Sequence, residues 1–281
     1  MRLGIFAKTF PGEAPEPVLA AVSAAGFSVA QYNMACSGLP PMPDEIPPGV
    51  AAAVGAAAKD RQVEIVALSG TYNMIHPDPA VRAAGHRRLE VLAANAAAMS
   101  TRLITLCTGT RDAHDQWRAH PDNDTPEAWA DLLASMEVAI GIADRHGVDL
   151  GIEPELANVV NSAAKARRLI DELRSSRLRI VFDPANLFEA ETIERQLDIV
   201  ARGIDLLADR IVMGHAKDRD AEGGFVTAGQ GVLDYPHYLA RLAAGGFDGP
   251  MVAHGLAARE AEGVARFLLG VMGAAGVEVT R

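Results

Sequence analysis

"TPEAWADLLASMEVAIGIADRHGVDLGIE", residues 125–153, contains both halves of the unit from which this chain is built. Thr125 reads as a helix N-cap, and Pro126 occupies the first turn, where a missing N–H costs nothing. Trp129, Leu132, Leu133, Met136, Ile140 and Ala143 recur at helical spacing and predict one face packed against a sheet. "RHG" stops the helix, with basic side chains in the last turn and Gly147 as the C-cap. A β-rich run, Asp149 to Glu153, follows at once.

The same rhythm occurs eight times. Strand candidates lie at about Leu3–Phe6, Val29–Asn33, Glu64–Leu68, Leu103–Leu106, Asp149–Glu153, Arg179–Phe182, Arg210–Met213 and Pro250–Ala253. Asp78-Pro79 repeats the capping signal of Thr125-Pro126. Strands that alternate with helices pair in parallel through right-handed crossovers, and eight such units close into a (β/α)8 barrel of about 250 residues. No composition break or Ser/Gly linker divides the chain, so residues 1–281 are expected to form one domain. The Pro-rich stretch Gly38 to Pro48 reads as an excursion between strand 2 and helix 2.

The composition narrows the function. A net charge of -10 offers no basic excess to displace counterions from phosphates, which argues against non-specific nucleic-acid binding. Cys36 and Cys107 have neither disulfide-scaffold nor zinc-ribbon spacing, so a reducing cytoplasm is expected. The N-terminus enters a strand pattern without a signal-peptide signature, and no run of 18 apolar residues suggests a membrane span. A small molecule is the expected partner, and a homo-oligomer is compatible with the sequence.

In a parallel barrel the βα loops converge on one mouth at the carboxyl ends of the strands. The late strands end in Glu153 ("LGIEPE"), Asp183 ("IVFDPAN"), His215 ("VMGHAKD") and His254 ("MVAHGL"), and all four residue types bind divalent metals. Four ligand-type residues at one mouth are costly to desolvate unless they pair or coordinate an ion. Asn73, Asn186, Lys217 and Arg219 follow strand ends and are candidates for holding substrate hydroxyl, carboxylate or phosphate groups. His76, Lys8 and Thr108 to Asp112 lie in similar positions. The loop from Thr108 to Asp124 carries a tryptophan and two histidines, and its length suggests a lid.

"GIEPE", "FDPAN", "GHAKDRD" and "GQGVLDY" together resemble the xylose isomerase-like barrel superfamily, in particular its sugar-phosphate isomerase/epimerase group. The resemblance implies a Glu, an Asp, a His and a second Glu holding one divalent ion. Glu153, Asp183 and His215 match the first three, whereas His254 stands where the second glutamate is expected. Imidazole suits Mn2+, Co2+, Zn2+ or Fe2+ better than Mg2+. Glu260 follows too late, inside the last helix, to be counted with the mouth. The implied chemistry is metal-assisted proton transfer beside a carbonyl of a sugar or sugar phosphate, with Glu153 as base and His254 returning the proton or completing the coordination. A dehydratase of the inosose or keto-acid type on the same metal, and a catalytically silent sugar-binding barrel, are the alternatives. A nuclease of the endonuclease IV type shares the barrel, but it needs more ligands and a basic groove.

Overall fold

The computed structural model describes residues 1–280. Eight parallel strands close the barrel in the order β1 (Arg2–Phe6), β10 (Pro250–Ala253), β7 (Ile211–Ala216), β6 (Leu178–Phe182), β5 (Asp149–Glu153), β4 (Leu103–Cys107), β3 (Glu64–Ser69) and β2 (Val29–Tyr32). Around it run α1 (Pro15–Ala24), α2 (Val50–Asp60), α3 (Pro79–Ala96), α4 (Pro126–His146), α5 (Ala163–Leu173), α6 (Ile193–Leu207), α7 (Tyr235–Ala244) and α8 (Ala261–Ala274). The expected (β/α)8 architecture is therefore the observed one. Asp78 and Thr125 cap α3 and α4 through their side chains, and Gly147 ends α4 with φ 66°.

The buried face of α4 is rotated from the expected stripe. Leu132, Met136, Ala139, Ile142 and Ala143 are buried, while Leu133 and Ile140 sit at its edge. Ser135 joins the buried face because its hydroxyl donates to the Met74 carbonyl at 2.6 Å.

Inside the barrel, alternate residues face the axis. A separate apolar layer is made by Ala67, Val181, Met213 and Val252. Gly4 and Gly151 complete it because nothing larger fits: a Cβ at Gly4 would lie 2.6 Å from Val29, and one at Gly151 would lie 2.9 Å from Val181. Two residues further along each of several strands, the next inward positions are Gln31, Ser69, Thr105, Glu153, Asp183, His215 and His254. A bulge between Ala30 and Gln31 shifts the β2–β3 register at this level.

β7 runs to Ala216, three residues beyond its expected end, so His215 belongs to the strand itself. The following residues form a two-stranded antiparallel hairpin, β8 (Asp218–Arg219) with β9 (Phe225–Val226), which the sequence reading did not foresee. Asp218 organises it. Its buried carboxylate accepts from the backbone N–H groups of Arg219, Gly229, Gly231 and Leu233 at 2.9 to 3.2 Å. A Cβ at Gly231 would come within 2.1 Å of the Arg219 carbonyl, so the second glycine of "GQG" permits the loop to close on that carboxylate.

Replacing Asp218 with Ala leaves those four backbone donors without their acceptor; the N–H groups of exposed Gly229 and Gly231 can turn to water, whereas those of buried Arg219 and Leu233 are orphaned at about 1–3 kcal/mol each. Denaturant unfolding of Asp218→Ala is expected to show a loss of at least about 2 kcal/mol relative to the parent. A loss within ~0.5 kcal/mol would mean that the carboxylate does not hold this loop.

Candidate metal centre and substrate cavity

Glu153, Asp183, His215 and His254 meet at the carboxyl end of the barrel, and one ligand-type atom from each lies within 4.8 Å of all the others. The Glu153, Asp183 and His215 side chains are buried, and His254 is partly so. His254 Nε2 is 3.0 Å from Asp183 Oδ2, and the two imidazole rings tilt against one another with centroids 4.3 Å apart. These four side chains can coordinate one divalent ion. Two carboxylates and two imidazoles form a mixed oxygen and nitrogen donor set suited to first-row transition metals.

Hydrogen bonds across the barrel fix which nitrogen of His215 faces that point. Thr105 Oγ1 donates to the Leu68 carbonyl, Gln31 Nε2 donates to Thr105 Oγ1 at 3.1 Å, and Gln31 Oε1 is left to accept from His215 Nε2 at 2.9 Å. With its proton on Nε2, His215 turns the lone pair of Nδ1 toward Glu153 Oε1, 3.2 Å away. Two acceptors this close require a proton or a metal cation near them. Gln31 thus acts as the outer partner that metal-binding histidines usually have.

The charges are coupled. Burial pushes the Glu153 carboxyl up, but without a metal a proton on His215 Nδ1, with its charge and hydrogen bond, outweighs burial and holds the group below its ordinary value; a bound cation would take that proton's place. Burial acts on Asp183 in the same sense, and Lys217 followed by His254 more than reverses it. For His254, burial and then the neighbouring His215 favour the neutral imidazole, the form that binds metal.

A cavity of about 510 Å3 opens above these residues, lined among others by Lys8, Gln31, Glu155, Asn186, Lys217 and Trp117. Asn186 donates to Glu153 Oε1 at 2.7 Å and accepts from Lys217 Nζ at 2.7 Å. Lys217 also lies 3.3 Å from Asp183. The structure therefore brings Asn186 and Lys217 to the candidate centre.

A family model for the xylose isomerase-like TIM barrel matches residues 19–269. The chain belongs to that family. Solved structures with the same fold include 3-keto-D-glucoside 4-epimerase from E. coli, with TM-score 0.76, 18% identity, and coverage of 96% of this chain and 99% of that one. L-ribulose 3-epimerase gives TM-score 0.74 and 17% identity over 98% of this chain and 94% of its own. The probable 3-DHS dehydratase of petrobactin synthesis from Bacillus anthracis gives TM-score 0.74 and 13% identity over 97% and 99%. No curated protein matches the chain in sequence.

Arg219 and Asn73 do not line the cavity above the four ligand-type residues of this xylose isomerase-like barrel; Asn73 lies in the wall of the neighbouring cavity beside the loop after β4. Arg219 is buried away from the cavity, where it donates to the carbonyls of Ala185 (2.6 Å) and Gly223 and stacks on Phe225. It braces the hairpin instead. Asn73 uses its amide to donate to the Thr110 carbonyl at 2.8 Å and to accept from Thr110 N at 3.0 Å, fixing the base of the loop after β4. His76 is held by Asp78 N and the Ala113 carbonyl, and Glu260 closes the turn before α8 by accepting from Ala257 N. The Thr108 to Asp124 loop contributes Gln116 and Trp117 to the cavity wall, while Asn123 and Asp112 pin the rest of it through backbone N–H groups.

Glu155 and Gln31 were not singled out from the sequence. Both were detectable by parity, because Glu155 is two residues beyond Glu153 on the same inward row and Gln31 interrupts a fully buried strand. Burial, followed by the charge of Glu153, pushes the Glu155 carboxyl up to about 7.

Removing an outer partner of a metal-binding histidine typically costs about 10–100-fold in affinity. Calorimetric titration of Gln31→Leu with Mn2+ is expected to show a loss of that size. Mn2+ should also raise the melting temperature of the parent and leave that of Asp183→Asn unmoved. Equal affinity in Gln31→Leu would show that His215 is not oriented by Gln31.

Proposed function

We propose that the chain is a divalent-metal-dependent sugar isomerase or epimerase that moves a proton at the carbon next to a carbonyl. The observation that carries this reading is the buried convergence of Glu153, Asp183, His215 and His254 at the floor of a cavity lined by polar side chains. These four residues would hold Mn2+, Co2+, Zn2+, Fe2+ or Mg2+, with the two imidazoles disfavouring Mg2+. Bound there, the ion would polarise a carbonyl and an adjacent hydroxyl and stabilise negative charge that develops on them.

The remaining steps belong to the chain's own groups. Glu153, held as a carboxylate at the cavity floor, is the base that takes the proton. Asn186 positions it by donating to Oε1, which leaves the second oxygen for the substrate C–H. Lys217, fixed between Asn186 and Asp183, donates to a substrate oxygen from the cavity wall. Glu155, in the cavity wall two residues beyond Glu153, accepts from a substrate hydroxyl. His254 completes the ligand set or returns the proton. Epimerases among the solved structures of the same fold support this reading. A cytoplasmic setting fits two free, buried cysteines, and no helix among the described residues is long and apolar enough to cross a membrane.

A second reading rests on His254 itself. An imidazole where the family resemblance implies a carboxylate leaves the site one carboxylate base short of a two-base epimerisation, which suits a reaction that needs a single base, such as a dehydration. The dehydratase among the solved structures has this fold too.

One experiment separates the readings. The Mn2+-supplemented protein is incubated in D2O with a panel of ketoses, inososes and keto-acids. Deuterium at the carbon beside the carbonyl of a product that retains every hydroxyl marks an isomerase or epimerase, and loss of water marks a dehydratase. Glu153→Gln should lower the exchange about 10²–10⁴-fold while substrate binding persists. Exchange that is undiminished in Glu153→Gln would remove Glu153 as the base, and no exchange with any compound would favour a sugar-binding barrel.

A further inference from the structure

A second cavity, of about 470 Å3, adjoins the first and shares Pro41, Thr71 and Gln116 with it. It lies outside the barrel mouth between the start of α3 and the loop after β4, with Val81, Tyr72 and Asp112 in its walls. In the closed strand order β3 stands opposite β7, so Thr71, just past β3, faces the cavity from the side opposite His215. A substrate held at the four-residue cluster by its carbonyl end therefore directs its far end toward Thr71 and Gln116.

The side cavity has a mixed wall, apolar at Pro40, Pro41, Met42 and Val81 and polar at Thr71, Asn73 and Gln116, with no free cationic side chain. Its one arginine, Arg88, is engaged by Asp44 through two hydrogen bonds of 2.8 and 3.4 Å. Asp112 and Asp115 add negative charge, and the backbone N–H groups of His114 and Asp115 are already occupied by Asp112 Oδ1. No nest of free N–H groups or unpaired arginine is left for a phosphate. At the mouth of the main cavity, Trp117 and Phe225 are 51% and 53% exposed and form its aromatic rim. Clefts of roughly 300–1,000 Å3 enclose ligands of drug size, larger than one sugar ring, and two adjoining cavities with three lining residues in common exceed what a monosaccharide fills.

We propose that the substrate is a glycoside: a sugar bound at the four-residue cluster that carries, at its far end, a neutral hydroxylated group seated in the side cavity. This rests on the sugar-isomerase reading of the cluster and names its substrate class. The appended group hydrogen-bonds Gln116 and Thr71 at the passage between the cavities, and the exposed aromatic rim covers an apolar ring face.

Three ketoses that differ only at O6 test this on the Mn2+-supplemented protein by calorimetry: D-fructose, D-fructose 6-phosphate and isomaltulose, which is D-fructose with a glucosyl group on O6. Isomaltulose is expected to bind at least roughly tenfold tighter than either of the others. Val81→Trp places a bulky side chain in the side cavity from a position that is 43% exposed, where the fold tolerates it. It should bring the isomaltulose-to-fructose affinity ratio close to one. D-fructose binding as tightly as isomaltulose would overturn the inference and leave the sugar-isomerase reading standing, as would a preference for the phosphate. An unaltered ratio in Val81→Trp would overturn the assignment of the side cavity. Failure of all three to bind, with Mn2+ bound, would overturn both the inference and the reading beneath it.

Discussion

In a closed eight-stranded barrel every second side chain of each strand must fit inside, and the rest of this structure depends on that constraint. One level of the interior is apolar and tightly filled, with Ala67, Val181, Met213 and Val252 packed beside glycines that leave no room for a Cβ. Two residues further toward the carboxyl ends, the same rows carry Gln31, Thr105, Glu153, Asp183, His215 and His254. The site is the continuation of the core rather than an attachment to it.

A polar layer placed directly on an apolar one has little water to satisfy it, so its members must satisfy each other. The relay from the Leu68 carbonyl through Thr105 and Gln31 to His215 does this across four strands and fixes one tautomer at its end. Lys217 and Asn186 do it on the other side, between Asp183 and Glu153. What these bonds leave over is a lone pair of His215 facing a carboxylate, an arrangement that a cation completes. Pre-organisation of this kind lets charge be stabilised without rearranging the protein during reaction.

The rim follows different rules from the floor. Its loops are held by carboxylates and amides that accept backbone N–H groups: Asp218 for the hairpin after β7, Asp112 and Asn123 for the loop after β4. These side chains resemble active-site residues in the sequence because they are polar and follow strand ends, and they act as fasteners. With the loops held in this way, Trp117 and Phe225 are exposed at the entrance and a second cavity lies beside the first. Arg219 and Asn73 belong to this class, which is why neither lines the cavity directly above the four ligand-type residues.

By itself the sequence determined the barrel and the floor of the site, because both follow from local periodicity. Eight alternations of strand and helix, Thr125 and Asp78 as caps, and Gly147 as a stop are signals within a few residues of one another, and parallel topology converts them into a barrel. Strand ends then nominate Glu153, Asp183, His215 and His254 without knowledge of any contact between them. Glu155 and Gln31 were legible too, had the two-residue period been extended past the strand end and back into the buried run of β2. Only the tertiary structure decided whether a polar residue beyond a strand turns into the cavity, as Lys217 and Asn186 do, or binds a neighbouring loop, as Arg219 and Asn73 do. That choice depends on which backbone groups of distant segments are left unpaired, a matter of three-dimensional closure that no spacing along the chain records.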